Sequence, residues 1–549
     1  MPKETSETGA LQLAGFLLAL LFAYTWALPL RDIYGLDVRN ALMAREMLEE
    51  GMTLIPRAMG QFYPDYPPLY FWLETLFSIP FGRMTTFSAV LPSALSAVGL
   101  VGLTYYLGSR VNRRVGRLAA GILATAPSFW HEAGSATIDM LLAFTVMATI
   151  TALYCRDNSR QPRKRAFYLS LAVLFWVLAF FTKGPIGIVL PAAAWGGYLL
   201  LEKRVKDLLL FALLAVFVAI ACAGGELLIA WRQGGVELVG EMIQMQLTSR
   251  VGQKENKPIY YYFIGLLGVG GPWILWCFPA LKRLLEEWRS GVGFHPFRAV
   301  RTQHLVVKLS LVWFCAVFAI FTAASTKHGR YILPLFPPLS ILLALAVDRV
   351  LAAGGPTRER LWNRLLAVIP PLLAGGAMGF LLTFQPMRPS PLQLTLSIIW
   401  FGTALTGWVL VMRMTNPARR IVALLALTLA VGLSGFNVVA QPLISQKASG
   451  RSFVDAVENS VSSAYPVVIY GLGRDGDGLK YALYSTRKPE SIIFLAEPEE
   501  IQRLPRPIII VAYERNWDQL RAVIAPEKTR RLGGGSIRSK AVVGYLLGP

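Results

Sequence analysis

Stretches of about 20 apolar residues recur along the chain, separated by short polar loops, and this alternation predicts the architecture. A helix rises ~1.5 Å per residue, so each such run is long enough to cross ~30 Å of hydrocarbon. Thirteen spans are expected, over residues 10–30, 87–107, 118–134, 138–155, 166–182, 185–201, 207–231, 259–280, 309–325, 332–351, 362–384, 392–412 and 421–440. The first run is too long for a secretory signal and has no small-residue cleavage site before Arg31, so it reads as a span. Pro67–Gly82 is also apolar but, at about 16 residues, marginal for a crossing. It is expected to lie at the outer interface or to re-enter, with Tyr70 and Trp72 as anchors.

Beyond residue 440 the period changes. Strand-length apolar runs over 466–472, 491–495, 507–512 and 541–547 alternate with helical segments 479–484 and 517–524. That alternation predicts a small α/β domain of about 100 residues. Two glycine-rich stretches, GLGRDGDG (471–478) and RLGGGS (531–536), read as turns, since the first lacks the spacing of a phosphate-binding loop. No internal repeat is found. The expected fold class is a polytopic α-helical membrane protein, with a transmembrane domain over 1–440, an outer loop over 31–82 and an extracytoplasmic α/β domain over 441–549.

Composition supports this division. Of the 549 residues 54% are hydrophobic and only 16% charged, against roughly 25% charged in a soluble domain. The net charge of +21 is not a nucleic-acid signal, because the excess sits in loops that fall on one side of the expected spans. Arg110–Arg117, Arg156–Arg165, Lys203–Lys206, Lys282–Lys308, Arg349–Arg364 and Arg413–Arg420 mark that side as the cytoplasm. The N-terminus is then inside, and loop 31–82 and the tail outside. The cysteines, Cys155, Cys222, Cys277 and Cys315, lie in or beside apolar runs and form neither a disulfide framework nor a CxxC site.

The chemistry is expected in the stretch from Arg31 to Trp72, which carries three Asp, three Glu and four Arg between apolar segments. Asp37, Arg39, Arg45 and Glu46 fall on a short amphipathic helix. Asp65 lies in YPDYPPLY, where flanking prolines fix the backbone around a carboxylate. Asp139 in SATIDMLLAF enters a span from its outer mouth, as a functional residue or as a helix cap. Lys183 in FTKGPIG, Lys257 in QKENKPIYYY, and Lys327, Arg330 and Tyr331 in STKHGRYILPLFPPL fall on the outside, against the positive-inside pattern. Taken singly each cation reads as a snorkelling side chain. Gathered at the mouths of several spans, they are candidates for holding a lipid phosphate.

These segments resemble the membrane glycosyltransferases of the C superfamily, in particular the lipid A aminoarabinose transferases and the protein O-mannosyltransferases. DVRNALMAREM (37–47), GQFYPDYPPLYFW (60–72), SATIDMLLAF, FTKGPIG, KPIYYYFIGLLGVGGPW (257–273) and RYILPLFPPL (330–339) are similar to that family's segments and follow its order. The likeness covers about residues 10–345. It implies a GT-C-like fold, a sugar donor carried on a polyprenyl phosphate, and a lipid (lipid A-like) or glycan acceptor at the periplasmic face of the bacterial inner membrane. Transfer to protein is the alternative acceptor, and a lipid or sugar transporter the alternative outside the enzymes.

By the resemblance Asp37 is the catalytic base, with Asp139 as a second catalytic candidate, and Arg39, Lys183, Lys257, Lys327, Arg330, Tyr331 and Tyr66 contact the donor phosphate. Three positions depart from the pattern. Asp37 stands alone where the family often has an acidic pair, Tyr66 replaces a lysine before Pro-Pro-Leu, and Glu255-Asn256 replaces a histidine. No cofactor is otherwise implied, although Asp65 with Glu255 offers two carboxylates to a divalent cation.

Overall fold

A computed structural model describes residues 4–35, 37–248, 257, 258, 260–276, 278, 304–352, 359–383, 389–524, 528–538 and 540–548. In chain order the outer and first membrane elements are α1 (Glu4–Thr25), α2 (Asp37–Glu50), β1 (Arg57–Ala58), β2 (Gln61–Phe62), α3 (Leu69–Ser78), α4 (Thr86–Val111), α5 (Arg113–Ala124) and α6 (Pro127–Ala133). Next come α7 (Ile138–Asp157), α8 (Pro162–Lys183), α9 (Pro185–Leu201), α10 (Val205–Ile243), α11 (Tyr261–Gly270) and α12 (Leu305–Ala323). Helices α13 (Phe336–Ala352), α14 (Glu359–Thr383), α15 (Pro391–Met412) and α16 (Pro417–Gly435) complete the membrane part. The C-terminal part holds α17 (Gln441–Ser449), α18 (Arg451–Glu458), β3 (Val467–Tyr470), α19 (Gly478–Tyr484), β4 (Ile492–Leu495), β5 (Ile508–Tyr513), α20 (Trp517–Arg521), β6 (Thr529–Ile537) and β7 (Lys540–Leu547).

Among the described residues ten helices are long and apolar enough to cross a membrane, and the run 185–201 forms a shorter apolar helix. Two expected spans are broken. Run 118–134 is divided between α5 and α6 at Ala126-Pro127, because the proline has no N–H to continue the ladder and disfavours helix in the residue before it. Run 259–280 passes from α11 into a 3₁₀ segment at Gly271.

The chain divides into two compact units. The first comprises Met1–Trp26, Pro64–Tyr70 and Val90–Phe436. Its core is aromatic, with Trp176, Trp273, Trp313, Phe180 and Phe336 fully buried. Helix α7 is enclosed along nearly its whole length. Asp157 near the end of α7 accepts two bonds from Arg204, at 2.6 and 2.7 Å. Asp139, in its first turn, lies 18 residues away, or about 27 Å along the axis. The two ionic ends of α7 are thus separated by roughly the thickness of hydrocarbon.

The second unit comprises Ala27–Tyr63, Phe71–Ala89 and Asn437–Pro549, so most of the outer loop groups with the C-terminal chain. Its sheet has the order β4-β3-β5-β7-β6. Strands β3, β4 and β5 are parallel, while β7 pairs antiparallel with both β5 and β6. Four of the five strands are those expected. Strand β6 contains the GGG stretch read above as a turn. Glycine is needed there for close packing: a Cβ on Gly535 would come within 2.8 Å of Phe453 Cβ on α18. Tertiary contact has overridden a poor local strand propensity.

The outer loop carries the expected amphipathic helix, α2, closed by Gly51 donating to Met47 O at 3.1 Å. Arg45 reaches from α2 to the carbonyls of Ala482, Leu483 and Ser485, at 3.1, 2.9 and 2.7 Å. A cation at the C-terminal end of α19 satisfies carbonyls that the helix leaves open and opposes its dipole. Thr75 of α3 donates to Ala44 O of α2 at 3.0 Å, so α3 packs along α2. Glu46 is buried and accepts the backbone N–H groups of Met59 and Gly60, the central residues of the β1–β2 turn. It therefore holds the hairpin that leads into YPDYPPLY.

Candidate active site

In the first unit, one ionic cluster forms where α7 begins and α8 ends. Asp139 lies in the first turn of α7, where a carboxylate is favoured by the helix dipole. Its Oδ1 accepts a hydrogen bond from Lys183 Nζ, and its Oδ2 pairs with Arg330 Nε at 2.9 Å. Lys183 is the last residue of α8 and is followed by a tight turn at Gly184. A Cβ there would stand 3.0 Å from Gln246 Oε1, so the turn and the lysine are fixed together. Lys183 Nζ lies 4.0 Å from the ring centre of Tyr331 and 6.0 Å from that of Tyr66, within cation–π range. The two cations outnumber the one carboxylate, and aromatic faces cover them.

Two more candidate cations lie close in the fold. Lys257 donates to Lys327 O, and Lys327 donates to Ala324 O, each at 2.7 Å. Backbone carbonyls thus position both ammonium groups. Arg330 also lines a cavity of about 490 Å³, with His131, Glu132, His328, Leu333 and Phe336 among its walls. Such a cavity, with both charged and apolar residues in its walls, can admit a charged group attached to hydrocarbon.

Sequence reasoning missed the support for Tyr66. Gln246 Nε2 donates to Pro64 O at 3.2 Å and to Glu226 Oε1 at 3.0 Å, with Glu226 buried in α10. An acid inside an apolar run was the available signal. It positions the backbone two residues before Tyr66.

Breaking a buried pair by removing one partner costs about 3–5 kcal/mol. Asp139→Asn leaves Lys183 and Arg330 facing each other without their carboxylate, and should lower the melting temperature in detergent markedly. An unchanged melting temperature would show that the Asp139 charge is not structural.

In the second unit, Asp37 opens α2 and is buried, as are Asn40 and Glu46 on the same helix. Arg39 lies over the Tyr63 ring at 5.7 Å. The carboxyl that the sequence reading overlooked is Glu74 of α3. It is fully buried, and neither oxygen has a hydrogen-bond partner among the described residues. Burial, and then the charge of Asp37, hold its carboxyl well above the usual carboxylate range. The neutral form of Glu74 is thereby favoured beside Asp37. The second member of an acidic pair, absent beside Asp37 in sequence, arrives from another helix. Its signal was a lone acid in LYFWLETLFS.

The same unit contains an open cavity of about 740 Å³ lined by Arg31, Asp32, Arg83, Arg451, Phe81 and Phe87, among others. Of the two carboxylates considered for a metal, Asp65 is half-buried between β2 and α3, and Glu255 lies outside the described residues. Among the described residues no three metal-ligating side chains gather.

Ten of the described helices are long and apolar enough to cross a membrane, and this multi-pass chain resembles the membrane glycosyltransferases of the C superfamily. The family described as dolichyl-phosphate-mannose-protein mannosyltransferase matches residues 65–224. An undecaprenyl phosphate-alpha-4-amino-4-deoxy-L-arabinose arabinosyl transferase from Pectobacterium carotovorum is 27% identical over 73% of this chain and 71% of its own length. The protein of that name from Yersinia enterocolitica is 26% identical over 88% of this chain and 86% of its own. The crystal structure of ArnT from Cupriavidus metallidurans bound to undecaprenyl phosphate superposes with a TM-score of 0.72 at 18% identity, covering 98% of both chains. Its apo form gives 0.71 at 19% identity. Within the superfamily, the chain is similar to the aminoarabinose transferase branch across nearly its full length.

Proposed function

We propose that the protein transfers a sugar from a polyprenyl-phosphate donor to a lipid A-like or glycan acceptor at the periplasmic face of the bacterial inner membrane. The carrying observation is the Lys183–Asp139–Arg330 cluster, with Tyr66 and Tyr331, at one end of the membrane helices. In this reading the acceptor oxygen attacks the anomeric carbon as the bond from that carbon to the phosphate oxygen breaks. Asp37 takes the acceptor proton. The polyprenyl phosphate leaves with its negative charge developing toward Arg330, Lys183, Lys257 and Lys327, which stabilise it. Asp139 orients the first two of these cations. The cavity lined by Arg31, Arg83, Arg451 and phenylalanines suits a phosphorylated lipid as acceptor. Full-length likeness to the arabinosyl transferases favours a lipid over a protein acceptor, because the mannosyltransferase likeness spans residues 65–224 alone.

Mass spectrometry of lipid A, glycan and protein fractions from a deletion strain and its complemented parent tests the acceptor. A sugar lost from the lipid or glycan fraction and restored by the gene supports the reading; fractions that do not change refute it. For the donor, a charge-assisted hydrogen bond contributes about 1.5–3 kcal/mol. Lys257→Met and Arg330→Met should each weaken binding of polyprenyl phosphate roughly tenfold or more. Equal affinity in both variants and the wild type would mean that the phosphate lies elsewhere.

A further inference from the structure

The small sheet carries a second group of cations that the transfer reaction leaves unused. Strands β3, β4 and β5 are parallel in the order β4-β3-β5. The chain leaves β3 to one side for β4, then crosses to the other side for β5. The crevice beyond the carboxyl ends of β3 and β5 is therefore a topological switch point, where open α/β sheets bind ligands. The loop after β3 is GLGRDGDG and the loop after β5 holds Glu514, Arg515 and Asn516. They approach closely, since a Cβ on Gly471 would stand 2.0 Å from Asn516 Nδ2. The β6–β7 hairpin turns at the same end, as the pairing of Tyr513 with Val542 and of Ile537 with Lys540 requires.

One buried carboxylate, Asp477, lies at the meeting of these segments. Its Oδ2 accepts from Tyr513 Oη at 2.7 Å, while its Oδ1, without a hydrogen bond among the described residues, faces the buried Lys480 ammonium at 3.2 Å. Arg538 and Lys540 add two more cations at 3.7 and 3.8 Å from its oxygens, beyond hydrogen-bond distance and with their side chains half exposed. Arg515 lies over the other partner, with its guanidinium 5.1 Å from the Tyr513 ring centre. Among the described side chains, three cations thus face the buried Asp477 and a fourth, Arg515, lies over its partner Tyr513, with Arg538, Lys540 and Arg515 exposed to solvent.

We infer that this crevice is an anion site that takes a phosphate group, with Arg538, Lys540 and Arg515 as its ligands and Asp477 as the fixed group that holds them in place. Arginine and lysine in one crevice supply the fork and the point charge that phosphate recognition uses. The phosphate can be presented by a phospholipid headgroup or can be free in solution, and both sources offer the same chemistry. The inference is independent of the transferase reading, because none of these residues belongs to the membrane cluster.

The test compares the full-length wild type with the Arg538→Gln/Lys540→Gln double variant, in nanodiscs for the first arm and in detergent for the second. In phosphatidylcholine discs, inorganic phosphate is titrated by calorimetry. In a second arm, association of the detergent-solubilised proteins with vesicles of phosphatidylcholine, with and without phosphatidylglycerol, is measured. Both substitutions are at half-exposed positions and leave Tyr513 and Lys480 on Asp477, and an unchanged melting curve checks that the fold is kept. An affinity for inorganic phosphate that falls at least tenfold in the variant supports a soluble source. A preference for phosphatidylglycerol that disappears in the variant supports a lipid source. Equal behaviour of the two proteins in both arms overturns the site.

Discussion

Asp37→Asn should reduce sugar transfer by about 10²–10⁴-fold, the usual contribution of a positioned carboxylate to proton transfer, while donor binding and the melting curve stay at wild-type values. The asparagine keeps the shape and the helix-start preference of aspartate at the head of α2. It cannot accept a proton. The effect separates this residue from Asp139, whose replacement acts first on stability because it is paired with two cations. Glu74 supplies an internal control. Burial and the Asp37 charge favour the neutral form of its carboxyl, whose shape Glu74→Gln keeps, so this substitution should cost far less activity than Asp37→Asn. A wild-type rate for Asp37→Asn would remove the general base from the mechanism.

The largest expected effect on stability belongs to Arg487. Its side chain is fully buried and meets Glu458 at 3.0 Å. It also donates to the carbonyls of Ser462 and Ser463, at 3.3 and 2.8 Å, and to that of Tyr465. Glu458 in turn accepts from Tyr481 at 3.0 Å and Ser485 at 2.8 Å. Arg487→Met strips a buried carboxylate of its cation and several carbonyls of their donor, a loss of about 3–5 kcal/mol. Hydrogen exchange on the full-length protein should show amides of β3 and β5 that exchange through opening of the sheet doing so about 10²–10⁴ times faster. Unchanged protection in those strands would show that the hub is dispensable.

Much of this was legible in the sequence because apolar period and strand length are local signals. The helix at Asp37, the marginal helix after Pro67-Pro68 and four of the five C-terminal strands follow from such patterns. Strand β6 was hidden because its glycines serve a contact with Phe453 that lies about 80 positions away in the chain. The site divides in the same way. Lys183, Arg330, Tyr331 and Tyr66 were named from motifs, and the structure gathers them around Asp139. Glu46, singled out with the same motif as Arg39, holds a hairpin instead. Glu74 and the Glu226–Gln246 pair escaped notice because a single polar residue inside an apolar run does not announce its partner. Only long-range packing does that.

The bond from Arg45 to the end of α19 joins residues 437 to 440 positions apart. A ribosome adding about 5–20 residues per second makes α2 about 20–90 s before the carbonyls that receive its arginine exist. Through that interval the guanidinium of Arg45 has no α19 carbonyls to meet. A stop codon between residues 450 and 478 therefore leaves Arg45 without these partners, even though every span among the described residues has already been made.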